Sequence, residues 1–432
     1  MPIIKKLRGI FYGWWVVAAS CVIFLFVGGT TFYGFTAFFN PIVAEMGWTR
    51  AQTSLAFSLR SIEGGIIRPV FGFLIDRIGA RKCVFGGILV IGISFILMSR
   101  TDSLYSFYAS FLLMALGSSA ALGLAQYAAV ANWFKRRRSF ALGVLSAGFG
   151  LSGVMAPILV FLIHSYGWRG TMVIAGIATM AIGMPLSLLI RHRPEQYGYL
   201  PDGDKPGDKT SLIPASSETE LGGGIVVRKE PSLRQSLRTR TFWLLMLFNF
   251  FTSFFLSAMT VHEMPYLISV GISEKLAALT MLGITASSLI GRLGFAWLGD
   301  IYDKRHLLAM TCALQVAGMF IFANIHSPWM IIPFLLTYGP GYGATFPLLP
   351  AIQADYFGTK SFASLRGLYA LGWTISGVTA PFLAGWMYDV QGSYRLAFTI
   401  FAILCVFAIP TILAIKPLEP SYSSQNNSAP PE

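Results

Sequence analysis

Two arginines, each placed eight residues before an aspartate, are the residues best suited to chemistry in this sequence. Arg68 precedes Asp76 and Arg292 precedes Asp300, and the second pair repeats the first after 224 residues. Both arginines stand in hydrophobic segments, where a charge at the centre of a membrane span costs about 2.5–3.5 kcal/mol. A guanidinium binds a carboxylate through two parallel hydrogen bonds. The pattern predicts an anion site formed by Arg68 and Arg292, one from each copy of the repeat.

Further polar and aromatic side chains inside apolar segments are candidates for lining a substrate cavity. They are Tyr33, Gln126, Tyr127, Tyr338, Tyr342 and Trp373. Three more residues are candidates for carrying a proton, namely Glu63, and His262 with Glu263 near the outer end of the seventh helix. Two other interpretations stay open: Glu63 could pair with Arg60 one turn away, and His262 with Glu263 could be a polar helix end.

The composition is that of an integral membrane protein. The 432 residues are 55% hydrophobic and 12% charged, with a mean hydropathy of +0.63, whereas soluble domains carry about 25% charged residues. Twelve apolar stretches approach the roughly 20 residues that cross the hydrocarbon core as a helix. Alternating segments of about ten residues, typical of a membrane barrel, are absent. We therefore predict an all-α integral membrane fold with twelve transmembrane helices.

The net charge of +13 is explained by topology. Of the 32 Lys and Arg residues, five lie in loops on one side, three lie within helices, and the remaining 24 lie on the other side. Basic loops mark the cytoplasmic side of a membrane protein. This distribution predicts a multi-pass protein of the cell membrane with both termini in the cytoplasm, and no nucleic-acid partner.

The chain divides into two repeated halves. The segment 152–157 recurs as 376–381 at the offset of 224 residues, and an even number of helices per repeat keeps both halves parallel. We predict six-helix halves at 1–190 and 241–415, a cytoplasmic linker at 191–240, and a disordered tail at 416–432. The protein is expected to act as a monomer. The four cysteines and five histidines lack the spacing of metal ligands or catalytic groups. We therefore predict that the protein has no metal, has no cofactor and is not an enzyme.

The segment from Gly72 to Lys82 resembles the loop motif GxLxDRxGxRK of the major facilitator superfamily. The resemblance implies alternating access around a site between the halves, with the cytoplasmic side latched in the outward-open state. The implied gate residues are Gly72, Asp76, Arg77, Gly79 and Arg81, and Asp300 and Arg305 in the degraded second copy.

Within that superfamily the chain resembles the monocarboxylate transporters and the oxalate/formate exchangers. Both families keep an arginine at the position of Arg292 that binds a substrate carboxylate, and Trp373 also resembles the exchangers. Ser288 stands where animal monocarboxylate carriers have an acidic residue, and Ser376 stands where the exchangers have a lysine. The resemblance implies transport of a small carboxylate, and three interpretations stay open: proton-coupled monocarboxylate transport, anion exchange, and a nutrient receptor.

Overall fold

The computed structural model describes residues 11–204 and 230–416, and these residues form helices without a strand. Half of the predicted linker, residues 205–229, and nearly all of the predicted tail lie outside the described residues. The backbone of Tyr33 is described as part of a helical turn, but its side chain is outside the described set.

Twelve long helices make up the described parts of the chain. They are α1 (Tyr12–Met46), α2 (Arg50–Ile78), α3 (Ala80–Ser99), α4 (Leu104–Trp133), α5 (138–166), α6 (168–189), α7 (Arg240–Ser269), α8 (Glu274–Leu298), α9 (Lys304–Ala323), α10 (Ile331–Phe357), α11 (Phe362–Gln391) and α12 (Arg395–Leu413). By length and composition alone, eight segments qualify as membrane spans, one of which contains both α5 and α6. Gly167, at φ 68°, divides that segment into two helices. The more polar helices α2, α10 and α11 complete the twelve.

The helices form two halves, each with its own hydrophobic core. One cluster of buried side chains is built mainly by α1–α6 and the other by α7–α12. The first cluster also takes in Ala351, Phe362 and Ala363 from the second half. The two cores therefore meet where α10 and α11 pack against the first half.

The backbone repeats the sequence duplication. Gly47 and Gly271 both adopt positive φ, at 67° and 87°, ahead of α2 and α8. Thr49 and Ser273 follow as N-caps, because their hydroxyl oxygens accept from the amides of Gln52 at 3.1 Å and Leu276 at 3.4 Å. A side-chain acceptor at this position satisfies one of the free amides of the first turn. Equivalent signals thus begin the second helix of each half.

The described ends of the linker contact equivalent loops of the two halves. The carboxylate of Asp202 accepts from the backbone amides of Lys135 and Arg136, at 3.0 and 2.9 Å. The carboxylate of Glu230 accepts from the amides of Thr359 and Lys360, at 3.1 and 2.9 Å. The two amide pairs are 224 residues apart and lie just before α5 and α11. The two ends of the linker are therefore held beside the first turns of α5 and α11.

His192 attaches the start of the linker to the first half. Its ring nitrogen accepts from the amide of Ala80 at 3.4 Å, and its carbonyl accepts from the Asn132 amide at 2.9 Å. Burial lowers the pKa of His192 to about 4, and the charge of Arg193 adds to this effect. His192 is therefore neutral at physiological pH and acts as a hydrogen-bonding group.

Candidate functional site

Two aspartates join the halves at the basic end of the bundle, the end at which α4 is followed by α5. Asp76, near the end of α2, accepts from the amides of Ala363 and Ser364 at 3.1 and 2.8 Å, and from the Ser364 hydroxyl at 2.6 Å. Asp300, after α8, accepts from the amides of Ser139 and Phe140 at 2.7 and 3.0 Å. A helix N-terminus carries free amides and a partial positive charge, which a carboxylate stabilises. Each half therefore caps a helix of the other.

Burial raises the pKa of Asp300, although the amides of Phe140 and Ser139 act in the opposite direction.

Gly72 makes the close approach of α2 and α11 possible, because an added Cβ would collide with the carbonyl of Ala363. Gly79 provides the turn between α2 and α3 at φ 92°.

The remaining arginines of the expected gate do not join the halves in this conformation. Among the described residues, Arg77 and Arg81 make neither a hydrogen bond nor an ion pair. Arg305 binds Asp303 at 2.6 Å and the carbonyl of Ile415 at 2.8 Å, both within the second half.

An ion pair that was not among the expected gate contacts joins the two halves. Arg138 at the start of α5 contacts Asp355 near the end of α10 at 2.6 Å, and Lys304 contacts the same carboxylate at 2.8 Å. Arg138 and Asp355 do not follow the duplicated pattern of an arginine eight residues before an aspartate. The sequence therefore gave no indication that they form a pair.

Arg292 is a buried cation whose contacts with the described residues are all neutral. It lies in the π-helical turn Gly291–Phe295 of α8 and is 2% exposed. Its Nη1 donates to the carbonyl of Ser146 in the first half at 2.8 Å, and its Nε donates to the hydroxyl of Ser288 at 3.4 Å. The guanidinium carbon lies 4.1 Å from the centre of the Phe346 ring. Within the described part of the chain, Arg292 has no carboxylate at ion-pair distance.

The charged residues of α2 do not pair with one another directly. Arg60 donates to the carbonyl of Thr31 at 2.7 Å and lies 3.8 Å from the centre of the Phe32 ring. Glu63 accepts from the hydroxyl of Ser119 at 3.4 Å. The spacing of Arg60 and Glu63 allows a direct ion pair, which was one of the two interpretations of Glu63. This ion pair does not form among the described residues.

Arg68 is half-buried and turned back along α2. Its Nε would lie 3.5 Å from a Cβ placed on Gly64, one turn nearer the opposite end of the bundle. Glu63 interacts with it electrostatically. No hydrogen bond or ion pair involves Arg68 within residues 11–204 and 230–416.

Arg366 is a further candidate site residue, which was not predicted from the sequence. Its charge was counted with the cytoplasmic loops, whereas the structure places it inside α11 with its guanidinium carbon 4.3 Å from the centre of the Tyr127 ring in α4. Arg366 precedes Trp373 by seven residues, and two helical turns put both on one face. That spacing was the available signal. Because Arg366 faces α4, the 39% exposed Trp373 is also on the inward face.

The remaining cavity candidates separate by their surroundings. Tyr342 lies beside Arg292, with its ring centre 6.0 Å from the guanidinium carbon. Tyr338 is fully buried between Phe334 and Tyr342. Gln126 is also fully buried, and its side-chain amide donates to the carbonyl of Ala121, where α4 is interrupted between Ala121 and Leu124. Tyr338 and Gln126 thus belong to the packed interior of their halves in this conformation.

The adjacent His262 and Glu263 point to different places. His262 contacts the hydroxyl of Tyr394 at 3.2 Å and the carbonyl of Pro381 at 3.0 Å. Glu263 is 3% exposed and interacts electrostatically with Tyr338 in the second core. The two do not form a joint site, and of the proton-carrying candidates only Glu63 lies beside an arginine of the predicted anion site.

The fold and the duplicated helix caps define a membrane transporter of two pseudo-symmetric halves. The model of the Major Facilitator Superfamily matches residues 19–365 and 264–431. The chain belongs to this superfamily.

Curated relatives match over most of the chain. Monocarboxylate transporter 12 of Rattus norvegicus is 26% identical, covering 92% of this chain and 83% of its own length. Monocarboxylate transporter 13 of Bos taurus is 27% identical, covering 90% and 86%. An uncharacterised transporter of the superfamily from Bacillus subtilis, YcxA, is 25% identical, covering 86% and 87%.

Solved structures confirm the fold. FucP in its outward conformation has a TM-score of 0.70 at 16% identity, covering 92% of this chain and 97% of that chain. The human organic anion transporter MFSD10 has a TM-score of 0.63 at 14% identity, covering 93% and 96%.

Proposed function

We propose that this protein is a secondary transporter of small organic carboxylates, with Arg292 as the principal ligand of the substrate carboxylate. The observation that carries the proposal is the burial of Arg292 among neutral acceptors. A charge removed from water is costly unless it is paired, and a carboxylate arriving from solution supplies the missing negative charge. The names of the monocarboxylate relatives point to the same class of substrate.

The positions of the contacts between halves support alternating access. Within the described residues, the hydrogen bonds and ion pairs that join the halves lie at the basic end, apart from that of Arg292 with Ser146. The positive-inside rule assigns the basic end to the cytoplasm. The described conformation is then closed toward the cytoplasm, and release of the Asp76 and Asp300 caps opens that side.

Monocarboxylate transport with a proton is the first candidate mode, and Glu63 is the proton-carrying group. Glu63 interacts electrostatically with Arg60 and Arg68 and accepts from Ser119. Protonation of Glu63 removes the negative neighbour of Arg68 and leaves this arginine available for a substrate anion. Anion exchange is the second candidate mode, favoured by Ser288 at the position where animal monocarboxylate carriers have an acid.

Counterflow of labelled carboxylates in proteoliposomes tests the proposal. The full-length protein is expected to equilibrate at least one of labelled lactate, pyruvate, formate and oxalate. Arg292→Gln is expected to lower the rate about 30-fold or more, since truncating one partner of a buried charge pair costs about 2–5 kcal/mol. Arg100→Gln, at an exposed arginine in the loop after α3, serves as the control.

Three results would decide against the proposal. Normal counterflow by Arg292→Gln would refute the role of this arginine. Binding without flux would indicate a receptor, and chemical conversion of the label would indicate an enzyme.

A further inference from the structure

A second pair of arginines lies between the halves, apart from Arg292. Arg68 in α2 and Arg366 in α11 are level with each other, because the carbonyl of Arg68 would lie 2.7 Å from a Cβ on Gly367. Both side chains are half-buried, and they interact electrostatically as like charges. Like charges inside a membrane protein repel strongly because the surrounding dielectric is low. The closed contact between α2 and α11 thus holds two cations that destabilise it.

The carboxylates of the described residues do not compensate Arg366. Glu63 interacts with Arg60 and Arg68, whereas the groups that act on Arg366 are Tyr127, Arg68 and Tyr369. Arg366 forms neither a hydrogen bond nor an ion pair with a described residue. Among the described residues, its cation–π contact is with the face of the Tyr127 ring, and such a contact is weaker than an ion pair with a bound anion.

Tyr127 connects this pair to Arg292. Arg366 lies 4.3 Å from the centre of the Tyr127 ring, and both Arg366 and Arg292 interact electrostatically with the Tyr127 hydroxyl. Two cations of the second half therefore act on one aromatic side chain of the first half. A ligand bound beside Tyr127 is therefore attracted by both arginines. Arg68 adds a third cation from the first half.

We propose that Arg366, together with Arg68 and Tyr127, forms a second anion-binding subsite, and that the site takes carboxylates carrying a second acidic group. The first carboxylate binds Arg292, and the second lies between Arg366 and Arg68 and neutralises their repulsion. Because these two arginines belong to opposite halves, a dicarboxylate stabilises the closed contact between α2 and α11. This inference rests on the proposed carboxylate transport and extends it to the substrate class.

Competition in proteoliposomes tests the subsite. In the unaltered protein, malonate and succinate are expected to inhibit counterflow of the labelled carboxylate at lower concentration than propionate and butyrate, the monocarboxylates of the same chain lengths. Arg366→Gln is expected to raise the inhibitory concentration of the dicarboxylates about tenfold or more. The inhibitory concentration of the monocarboxylates is expected to change less than about threefold, because their single charge is bound by Arg292.

Two comparisons separate the subsite from a structural role. Arg366→Lys keeps the charge and is expected to retain the preference for dicarboxylates, while Arg100→Gln controls for loss of a positive charge at an exposed position. Equal loss of monocarboxylate and dicarboxylate binding in Arg366→Gln would overturn the proposal, as would a lack of dicarboxylate competition in the unaltered protein. Flux of monocarboxylates alone would leave the proposed transport intact while refuting this subsite, so the two failures are distinguishable.

Discussion

Removing the charge of Asp76 should shift the protein away from the conformation closed at its basic end. Asp76 accepts three hydrogen bonds from the first turn of α11, at 3.1, 2.8 and 2.6 Å. Asparagine keeps one acceptor oxygen, but its NH2 group replaces the other oxygen. This donor would then face the amide and hydroxyl donors of Ala363 and Ser364. Losing a helix cap costs about 0.5–2 kcal/mol, and a hydrogen bond to a charged group contributes about 1.5–3 kcal/mol.

We therefore expect Asp76→Asn to cost about 2 kcal/mol, which corresponds to about a 30-fold change in the ratio of the two conformations. Two conformations of a protein commonly differ by a few kcal/mol, so a change of this size makes a minor conformation measurable. The open state at the basic end should become populated without substrate.

Distances between two spin labels, measured by double electron–electron resonance, can report this shift. Lys82 and Lys360 are exposed at the basic end, one in each half, and labels on cysteines at these positions report their separation. The native Cys21, Cys83, Cys312 and Cys405 are replaced by serine in the starting protein. Asp76→Asn should add a longer distance to the distribution.

Asp303 offers a matched control. It lies in the same loop as Asp300, but its carboxylate binds Arg305 in its own half, and Arg305 holds the pKa of Asp303 below its usual range. Asp303→Asn should therefore leave the distribution unchanged. The explanation fails if Asp76→Asn leaves the distances as they were, or if Asp303→Asn shifts them equally.

Two further predictions concern coupling and closure. Glu63→Gln mimics the protonated acid beside Arg68. The rate of carboxylate transport should therefore become independent of pH and equal the rate that the unaltered protein reaches at acidic pH. A persisting pH dependence of transport would exclude Glu63 as the proton-carrying group. Gly72→Ala places a methyl group against the carbonyl of Ala363, whereas the same change at Gly86 meets no atom within 4 Å. Overpacking costs about 1–3 kcal/mol, so spin distances should report opening of the basic end in Gly72→Ala and not in Gly86→Ala; equal behaviour of the two variants would contradict this account.

The sequence determined the membrane class, the superfamily and the repeated helix positions, because hydropathy, capping residues and duplicated motifs are local properties. Thr49 and Ser273 identify the starts of α2 and α8, and the family comparison confirms the superfamily that Gly72 to Lys82 indicates. The spacing of eight residues between Arg68 and Asp76 likewise gave their relative depth in one helix.

Only the tertiary structure decided which side chains meet across the halves. Helical spacing gives the depth and face of a residue, but it does not identify the helix of the other half that lies opposite. For that reason the contacts of Arg138 with Asp355 and of Arg366 with Tyr127 were not predicted. Arg77 and Arg81 were expected to belong to the gate, but within residues 11–204 and 230–416 they form no hydrogen bond or ion pair across the halves. The partners of a charged side chain depend on packing between distant segments, so the charge balance around Arg366 became visible only in the folded molecule.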